Sequence, residues 1–515
     1  MTSVIADQDY IFGIFTTIAP QQAKNICIIH EKRVSLCQFV GKTDKTSNMC
    51  IGKTDKMPIN CIGKTDNDML NRHIDSVIAH HFATTNKALL LTGARQSGKT
   101  YAIRRFTQQA GWQLVELNLL LQPETKRIFA GAANVQDLLL RISALANQPL
   151  QTGKTLIFFD EVQEYADVLT WVKALVDEGR FKYALSGSLL GLELKNVRSV
   201  PVGYMSEFRM YPLDYEEFIR NIGVSDEVIA SVREAWEQRR PVDAYVHEKL
   251  MRLYNLYLIV GGMPAVVQTY ADTNDLQRVL LEQQAILELY KTDIARYDPV
   301  DKLYINDIFD LIPSELNAKN KRFILKNLNE HIKFSRHENS FVWLRDADMA
   351  LPTYNVDEPR VPLKLNELRN LFKLFQNDVG LLASQYVGGI QLKLLQGDVN
   401  INNGAIYENA VAQELHAHGW ALRYFNSKKQ GEVDFLLEQD DEIIPLEVKS
   451  GKDYQRHSAL SNVLANKEYH INRAIVLSNN NLSVKGNIVY APVYMTMFMH
   501  HQAQIAPIIF KPELP

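Results

Sequence analysis

The chain has 515 residues, of which 46% are hydrophobic and 22% are charged, and its formal net charge is −3. These proportions are ordinary for a globular protein, and at roughly 150 residues per domain the length predicts about three domains. The near balance of charge excludes a generally basic surface, so any nucleic-acid-binding surface must be local.

Cysteine placement and hydropathy limit the class of protein further. All four cysteines lie in the first 61 residues, which excludes a disulfide framework or a zinc site across the remaining chain. No apolar run reaches the roughly 18 residues that a membrane helix needs. The start carries two aspartates and no basic leader, which is not typical of a signal peptide. We therefore expect a cytoplasmic protein without a membrane span.

Residues 1–68 differ from the rest of the chain. The tripeptide Gly-Lys-Thr occurs there three times at intervals of 11 residues, beginning at Gly41, Gly52 and Gly63. An 11-residue interval is compatible with a helical repeat, but each unit carries glycine and turn-forming residues, which disfavour a continuous helix. We expect a poorly ordered extension, and we hypothesise that the native chain starts at Met69.

A phosphate-binding loop is predicted at "GARQSGKT", Gly93–Thr100. Of the five Gly-Lys-Thr copies, only this one has a second glycine five residues earlier, an apolar stretch in front and a helical pattern behind that ends at Gly111. Glycines let backbone N–H groups curl around phosphates, and the helix N-terminus adds partial positive charge. Lys99 is expected to neutralise the β and γ phosphates, and Thr100 to ligate Mg²⁺. The predicted nucleotide-binding residues of the loop are Gly93, Ala94, Arg95, Gln96, Ser97, Gly98, Lys99 and Thr100.

Two later apolar stretches end in polar residues that suit the same site. In "TLIFFDEVQEY" four apolar residues lead into Asp160 and Glu161. Asp160 is predicted to join the Mg²⁺ shell, while Glu161 polarises the attacking water and is, with Lys99, the candidate catalytic residue. A surface acidic pair is the alternative. In "RFKYALSGSLLG" another apolar strand ends in Ser186-Gly187-Ser188, and Ser188 is predicted to sense the γ-phosphate.

Four motifs in this order, "TGARQSGKT", "LIFFDEVQE", "ALSGSLLG" and "MYPLDYEEF", resemble a large prokaryotic group of AAA-type P-loop ATPases. In that group the ATPase module is followed by a C-terminal domain of unknown function. The resemblance covers Met69 to the C-terminus, and it implies ATP and Mg²⁺ as cofactors and ATP hydrolysis as the activity.

The resemblance also bears on a lid and on an arginine finger. In "YLIVGGMPAVV", Gly262 and Pro264 match a helical-lid motif that contacts the nucleotide in related ATPases, whereas the alternative is a simple helix break. Many members carry a Gly-Arg pair shortly after the sensor strand. Here Gly203 is followed by Tyr204, and the nearest arginine is Arg198. The identity of an arginine that would act across a homo-oligomer is therefore left open.

Residues 219–384 are predicted to form a helical lid and a winged-helix-like region. The apolar spacing is helical up to about residue 310. Residues 319–336 carry six basic residues and one acid. This segment is therefore a candidate DNA-contacting surface, and a solvated helix face is the alternative.

Residues 385–515 are predicted to form a domain that resembles the PD-(D/E)xK restriction-endonuclease-like fold. "AIYENAVAQELHAHG" is read as an amphipathic helix that carries Glu408. "GEVDFLLEQDDEIIPLEVKSGK" is read as a hairpin with Asp434 on its first strand and Glu447 and Lys449 on one face of its second. This arrangement is typical of nucleases in which carboxylates hold Mg²⁺ and a lysine activates water.

The sequence thus predicts an α/β protein: a P-loop NTPase parallel sheet at 69–218, the helical and winged-helix-like region at 219–384, and a nuclease-like core at 385–515. The leading hypothesis is an ATP-binding, Mg²⁺-dependent AAA-type ATPase that acts as a nucleotide switch or remodeller. One alternative is an ATP-gated, Mg²⁺-dependent DNA nuclease. Another is a non-catalytic scaffold that binds DNA or protein through a vestigial nuclease core. The partners expected are ATP, DNA through 319–336 and the C-terminal domain, and further copies of the chain.

Overall fold

The computed structural model describes residues 70–122, 124–146, 148–188, 203–297, 302–318, 321–323, 334–386, 390–395 and 403–501. The predicted extension at 1–68, most of the basic segment 319–336, and Arg198 lie outside the described residues. Within the described ranges, no helix is both long and apolar enough to cross a membrane.

The first part of the fold is a parallel sheet flanked by helices. Its strands are β1 (Ala88–Thr92), β2 (Gln113–Asn118), β3 (Thr155–Asp160), β4 (Lys182–Ser186) and β5 (Met205–Arg209). Their order is β2-β3-β4-β1-β5, and all neighbours pair in parallel. The helices are α1 (His73–Thr84), α2 (Lys99–Ala110), α3 (Thr125–Ala130), α4 (Val135–Ala146) and α5 (Val168–Glu178).

The apolar strands predicted from sequence form the centre of this sheet. β1 and β3 are buried along their whole length, as expected for strands covered on both faces. Because the strands run parallel, their carboxyl ends meet at one edge, which carries Thr92, Asn118, Asp160 and Ser186. The arrangement confirms the predicted P-loop NTPase fold for this part of the chain.

Helices follow the sheet: α6 (Tyr215–Asn221), α7 (Asp226–Glu237), α8 (Ala244–Val260), α9 (Pro264–Thr273), α10 (Leu276–Tyr297), α11 (Lys302–Asn317) and α12 (Phe334–Asp346). Pro264 begins α9, a position at which proline is favoured because its missing N–H would have no helical partner. In the turn before it, a Cβ at Gly262 would lie 2.0 Å from the Leu213 carbonyl oxygen. The turn therefore brings two backbone segments into direct contact.

Two mixed sheets form the remainder. One contains β6 (Ala350–Val356), β7 (Glu367–Gln376), β8 (Arg423–Ser427) and β9 (Gly431–Val433), in the order β7-β6-β8-β9. The other contains β10 (Phe435–Gln439), β11 (Glu442–Val448), β12 (Ala474–Ser478), β13 (Ser483–Lys485) and β14 (Ile488–Pro492), in the order β10-β11-β12-β14-β13. The first sheet joins strands from both sides of residue 384, so the middle and C-terminal regions share it.

Helices and short 3-10 turns complete these sheets. The helices are α13 (Val379–Ser384), α14 (Ile390–Leu395), α15 (Gly404–Ala417) and α16 (Ser458–Ala465). The 3-10 turns in the described residues are Val162–Tyr165, Leu363–Asn366, Lys467–Tyr469 and Val493–Phe498. A continuous hydrophobic core joins α8, α11, β7, α15 and β11, whereas separate apolar clusters cover the two faces of the parallel sheet.

Two details of the C-terminal prediction are wrong. The expected first strand of the hairpin is interrupted at Asp434, because the chain bends there to leave one sheet and enter the other: β9 pairs with β8, and β10 pairs with β11. The expected amphipathic helix α15 is instead buried from Ala405 to Leu415. It has no solvent face because its polar side chains find partners inside the protein; the Asn409 amide, for example, exchanges two hydrogen bonds with the Gln376 backbone at 2.7 and 3.1 Å.

Candidate functional site

The phosphate-binding loop connects β1 to α2. Gly93 has a φ of +129°, and a Cβ there would lie 2.1 Å from the Met210 carbonyl oxygen, so only glycine fits. Gly98 has a φ of +96° and is followed at once by Lys99, the first residue of α2. The free N–H groups of that helix N-terminus face the loop, which is the arrangement that binds phosphate in proteins.

Lys99 is buried at the base of the loop. Its Nζ donates to the carbonyl oxygens of Gly93 at 3.0 Å and Ala94 at 2.7 Å. Burial lowers the pKa of Lys99 to about 8, although Glu161 and other nearby carboxylates act in the opposite direction. The Ser97 hydroxyl is also buried and has no hydrogen-bond partner among the described residues. A buried cation and an unused hydroxyl beside the loop N–H groups fit a phosphate anion.

Asp160 lies next to the loop at the end of β3. The Thr100 hydroxyl donates to both of its carboxylate oxygens at 3.1 Å, and the Asn118 amide donates at 3.0 Å. Ser186 also donates to it from the end of β4. Burial raises the pKa of Asp160, against these hydrogen bonds. An adjacent hydroxyl and carboxylate are the ligand types that Mg²⁺ prefers, so Thr100 and Asp160 fit a magnesium ion.

Glu161 follows Asp160 with a left-handed backbone, φ +59°. Non-glycine residues adopt this conformation rarely, and such strain concentrates at functional positions. The Glu161 carboxylate accepts from the Gln163 amide at 2.5 Å and from the Ser188 hydroxyl at 3.4 Å. The predicted catalytic glutamate and the predicted sensor, Ser188, therefore lie in contact with each other, beside the aspartate of β3.

The two predicted lid residues, Pro264 and Gly262, lie at different distances from the phosphate loop. The Pro264 Cγ would be 3.6 Å from a Cβ at Gly98, so this proline lies directly against the phosphate loop. Gly262 is buried behind it, and its N–H donates to the Asp378 carboxylate at 2.6 Å. Asp378 caps α13 through a second hydrogen bond, to the Leu381 N–H at 3.0 Å. Gly262 thus connects the lid turn to the helix after β7.

Three residues near the loop were missed by the sequence reasoning: Arg72, Asn118 and Asp293. Arg72 donates to the Ser97 carbonyl oxygen at 3.2 Å, and Arg95 forms an ion pair with Asp293 of α10. Asn118 could have been found, because it ends a strand at the same sheet edge as the predicted acid. The partner of Arg95 could not, because no local pattern joins residues that are 198 positions apart in the chain.

The four residues of the predicted nuclease-like site converge between the two mixed sheets. Glu408 lies on α15, Asp434 at the bend, Glu447 on β11, and Lys449 directly after it. The Val448 N–H donates to the Asp434 carboxylate at 2.8 Å, and the Lys449 ammonium donates to Glu447 at 2.7 Å. Burial raises the pKa of Glu447 to about 8.

Two further lysines that the sequence reasoning did not identify reach this cluster. Lys373 of β7 is completely buried, and its Nζ lies 2.7 Å from Glu432, 3.6 Å from Glu408 and 3.9 Å from Asp434. Lys321 pairs with the other Glu408 oxygen. In the part of the chain that the structure describes, no group of three His, Cys, Asp or Glu side chains is arranged to hold a metal ion. The cluster as it stands does not fit Mg²⁺.

The loop, its buried lysine and the adjacent hydroxyl–carboxylate pair define a P-loop nucleotide site. A family model described as an AAA domain matches residues 85–219. Models described as domains of unknown function match residues 251–392 (DUF8612) and 403–495 (DUF4143). The chain therefore contains an AAA-type P-loop ATPase domain, followed by regions whose family models have no described function.

Solved structures resemble the chain at low identity. A Walker-type ATPase of Pyrococcus abyssi is 15% identical over 62% of this chain and 97% of the other, with a TM-score of 0.40. RuvB of Thermotoga maritima is 12% identical over 56% and 89%, with a TM-score of 0.26. PCH-2 of C. elegans is 13% identical over 41% and 65%, with a TM-score of 0.24. No curated protein matches the chain in sequence. The assignment of the ATPase domain therefore rests on the domain model and the loop geometry.

Proposed function

We propose that the chain binds and hydrolyses ATP with Mg²⁺ and acts as a nucleotide switch. The observation that carries the proposal is the contact between Thr100 and Asp160 beside the buried Lys99. Lys99 would exchange its two carbonyl partners for phosphate oxygens, and Glu161 would orient and polarise the attacking water. Bound Mg²⁺ would supply charge neutralisation at the β and γ phosphates. Thr100 and Asp160 would hold the ion.

The switching role is supported by a chain of contacts that leaves the phosphate loop. Pro264 lies against Gly98, and the neighbouring Gly262 N–H is hydrogen-bonded to Asp378. Gln413 of α15 approaches the same carboxylate at 3.5 Å and accepts the first N–H of α13 at 2.8 Å. A movement of the lid on nucleotide binding would therefore reach α15, and α15 also carries the glutamate of the C-terminal cluster.

For the C-terminal region the two alternatives are an ATP-gated DNA nuclease and a non-catalytic scaffold with a vestigial nuclease core. The convergence of Glu408, Asp434, Glu447 and Lys449 from separate elements favours the nuclease, whereas the Lys373 ammonium inside the cluster favours the scaffold. DNA contact through 319–336 and assembly into a homo-oligomer are also proposals, as is a cytoplasmic location. Lys321 is one of the described basic residues of that segment, and it pairs with Glu408. This contact supports a role for Lys321 inside the protein.

ATP binding and phosphate release test the leading proposal directly. We expect Lys99→Ala to lose both, because the phosphates lose their cation, and Glu161→Gln to bind ATP while hydrolysis falls by about 100-fold. The matched control is Lys154→Ala, which alters the exposed lysine of another Gly-Lys-Thr copy and should change neither quantity. A wild-type protein that binds no ATP, or a Lys154→Ala protein as impaired as Lys99→Ala, would contradict the proposal.

A further inference from the structure

Lys373 is an unusual residue for its position. It lies within β7, opposite Thr353 of β6, and its side chain has 0% exposure. Lysine is almost never fully buried without a partner, because an unpaired ammonium in the interior is strongly unfavourable. The carboxylates around Lys373 therefore help to stabilise its buried ammonium within β7.

The groups around the Lys373 ammonium compensate its positive charge. Carboxylates from α15, β9 and the bend after β9 lie within 4 Å of it: Glu408, Glu432 and Asp434. The Tyr424 ring lies on another side, with its centroid 5.0 Å from Nζ, in range for a cation–π contact. The ammonium therefore occupies a site that is lined by negative groups on several sides.

One oxygen of each carboxylate of the cluster accepts from an internal donor, whereas Glu408 Oε2 and Glu447 Oε2 are buried and accept no hydrogen bond from the described residues. Glu408 is paired through one oxygen with Lys321 and through the other with Lys373. Glu447 is paired with Lys449. Together with the Val448 N–H on Asp434, these contacts supply an internal donor to each of the three carboxylates predicted to bind metal.

A divalent ion would require a different arrangement. Mg²⁺ needs oxygen ligands at about 2.0–2.1 Å around one point. In this cluster the space between Glu408 and Asp434 is taken by the buried Lys373 nitrogen, which lies 3.6 and 3.9 Å from their carboxylate oxygens. A metal ion in the same place would face the ammonium at close range, and like charges repel strongly in a poorly solvated site.

We propose that Lys373 occupies the position of the divalent cation and makes the C-terminal carboxylate cluster a metal-independent ionic clamp. The clamp joins β7, α15 and the β9–β10 bend, and so fixes the helix that the lid contacts reach. In this arrangement the C-terminal region acts as a scaffold and not as a metal-dependent nuclease. The inference does not depend on the ATPase activity proposed above, because no residue of the clamp belongs to the phosphate loop.

Terbium luminescence tests the clamp without relying on enzyme activity. Tb³⁺ occupies carboxylate sites and is sensitised by nearby tyrosine, and Tyr424 lies next to this one. In the nucleotide-free full chain, we expect Asp434→Asn to leave the wild-type Tb³⁺ signal unchanged. Lys373→Met should gain a saturable signal, at least about 10-fold above wild type at low micromolar Tb³⁺, that is lost again in the double variant with Asp434→Asn. Lys373→Arg keeps the positive charge and should gain none.

Several results would overturn the clamp. A saturable wild-type signal that disappears in both Asp434→Asn and Glu447→Gln would mean that the cluster binds metal with its lysine in place. A folded Lys373→Met protein that gains no signal would show that the lysine does not stand in for a metal. If Lys373→Met does not fold, the comparison of the Tb³⁺ signal of wild type with that of Asp434→Asn still tests the clamp. Plasmid cleavage by wild type in Mn²⁺ that is lost in Lys449→Ala would also refute the proposal.

Discussion

The ion pair between the phosphate loop and α10 can be tested by a double-mutant cycle. Arg95 is the third residue of the loop, and its guanidinium pairs with Asp293, whose side chain is only 2% exposed. Burial raises the pKa of Asp293, and the charge of Arg95 opposes that effect. Tyr290, one turn earlier on α10, donates to the Arg95 carbonyl oxygen at 3.5 Å. Arg95→Ala would leave a buried carboxylate without its cation.

The expected magnitude follows from the burial of each partner. Breaking a buried pair by removing one side typically costs about 3–5 kcal/mol. Because the Arg95 side chain is 24% exposed, we expect Arg95→Ala to lower the free energy of unfolding by about 2–3 kcal/mol, below that range. Asp293→Asn removes the charge that needs a partner and leaves an arginine that can reach water, so a loss of about 1 kcal/mol is expected. The double variant should resemble Asp293→Asn, with a coupling energy of about 2–3 kcal/mol.

Urea denaturation of the four proteins measures this cycle, and ATP affinity is measured in parallel. Arg252→Ala is the matched control, because the Arg252–Glu248 pair is 67% and 62% exposed and its loss should change the free energy by less than about 0.5 kcal/mol. The reasoning is refuted if Arg95→Ala costs no more than Arg252→Ala. It is equally refuted if the losses of unfolding free energy in Arg95→Ala and Asp293→Asn simply add up in the double variant.

Two further predictions concern the lid turn and the start of α1. Gly262→Ala would place a Cβ 2.0 Å from the Leu213 carbonyl oxygen, so we expect a lower Tm and about 10-fold weaker ATP binding, a free-energy loss of about 1.4 kcal/mol. Gly451→Ala, where a Cβ meets no atom within 4 Å, should change neither. The Asp214 carboxylate raises the pKa of His73 to about 9, so the stabilisation from this contact should be complete below pH 6.5 and lost as the pH rises through 9. His73→Gln should flatten the Tm profile between pH 6.5 and 9.5, and an unchanged profile would rule out this contact as its source.

The nucleotide site was largely predictable because its signals are local. The glycines of the loop, the apolar run of β3 and the helix that ends at Gly111 each occupy a short stretch of sequence. Parallel pairing of β1, β4 and β3 then places the loop after β1 beside the end of β3, which brings Thr100 and Asp160 into contact. The same logic could have identified Asn118. These features depend on backbone periodicity and on glycine conformations, and both can be read from neighbouring residues.

The C-terminal region contains features that the local sequence could not predict. The residue types at Glu408, Asp434, Glu447 and Lys449 were found from their spacing, but spacing does not reveal what fills the space between them. Lys373 looks like an ordinary polar residue in a strand, and only the packing of β7 against α15 encloses its ammonium. α15 looks amphipathic because its polar residues recur, yet those residues are satisfied by distant partners.

The sequence by itself therefore determined the phosphate loop, the strands around it and the identity of the candidate catalytic residues. Only the tertiary structure decided the partner of Arg95, the bend at Asp434 and the lysine inside the carboxylate cluster. The physical reason is that the hydrogen bonds within a helix and the glycine turns act between near neighbours in the chain. The charge of a buried group, in contrast, depends on whichever distant residues the fold brings within a few ångströms of it.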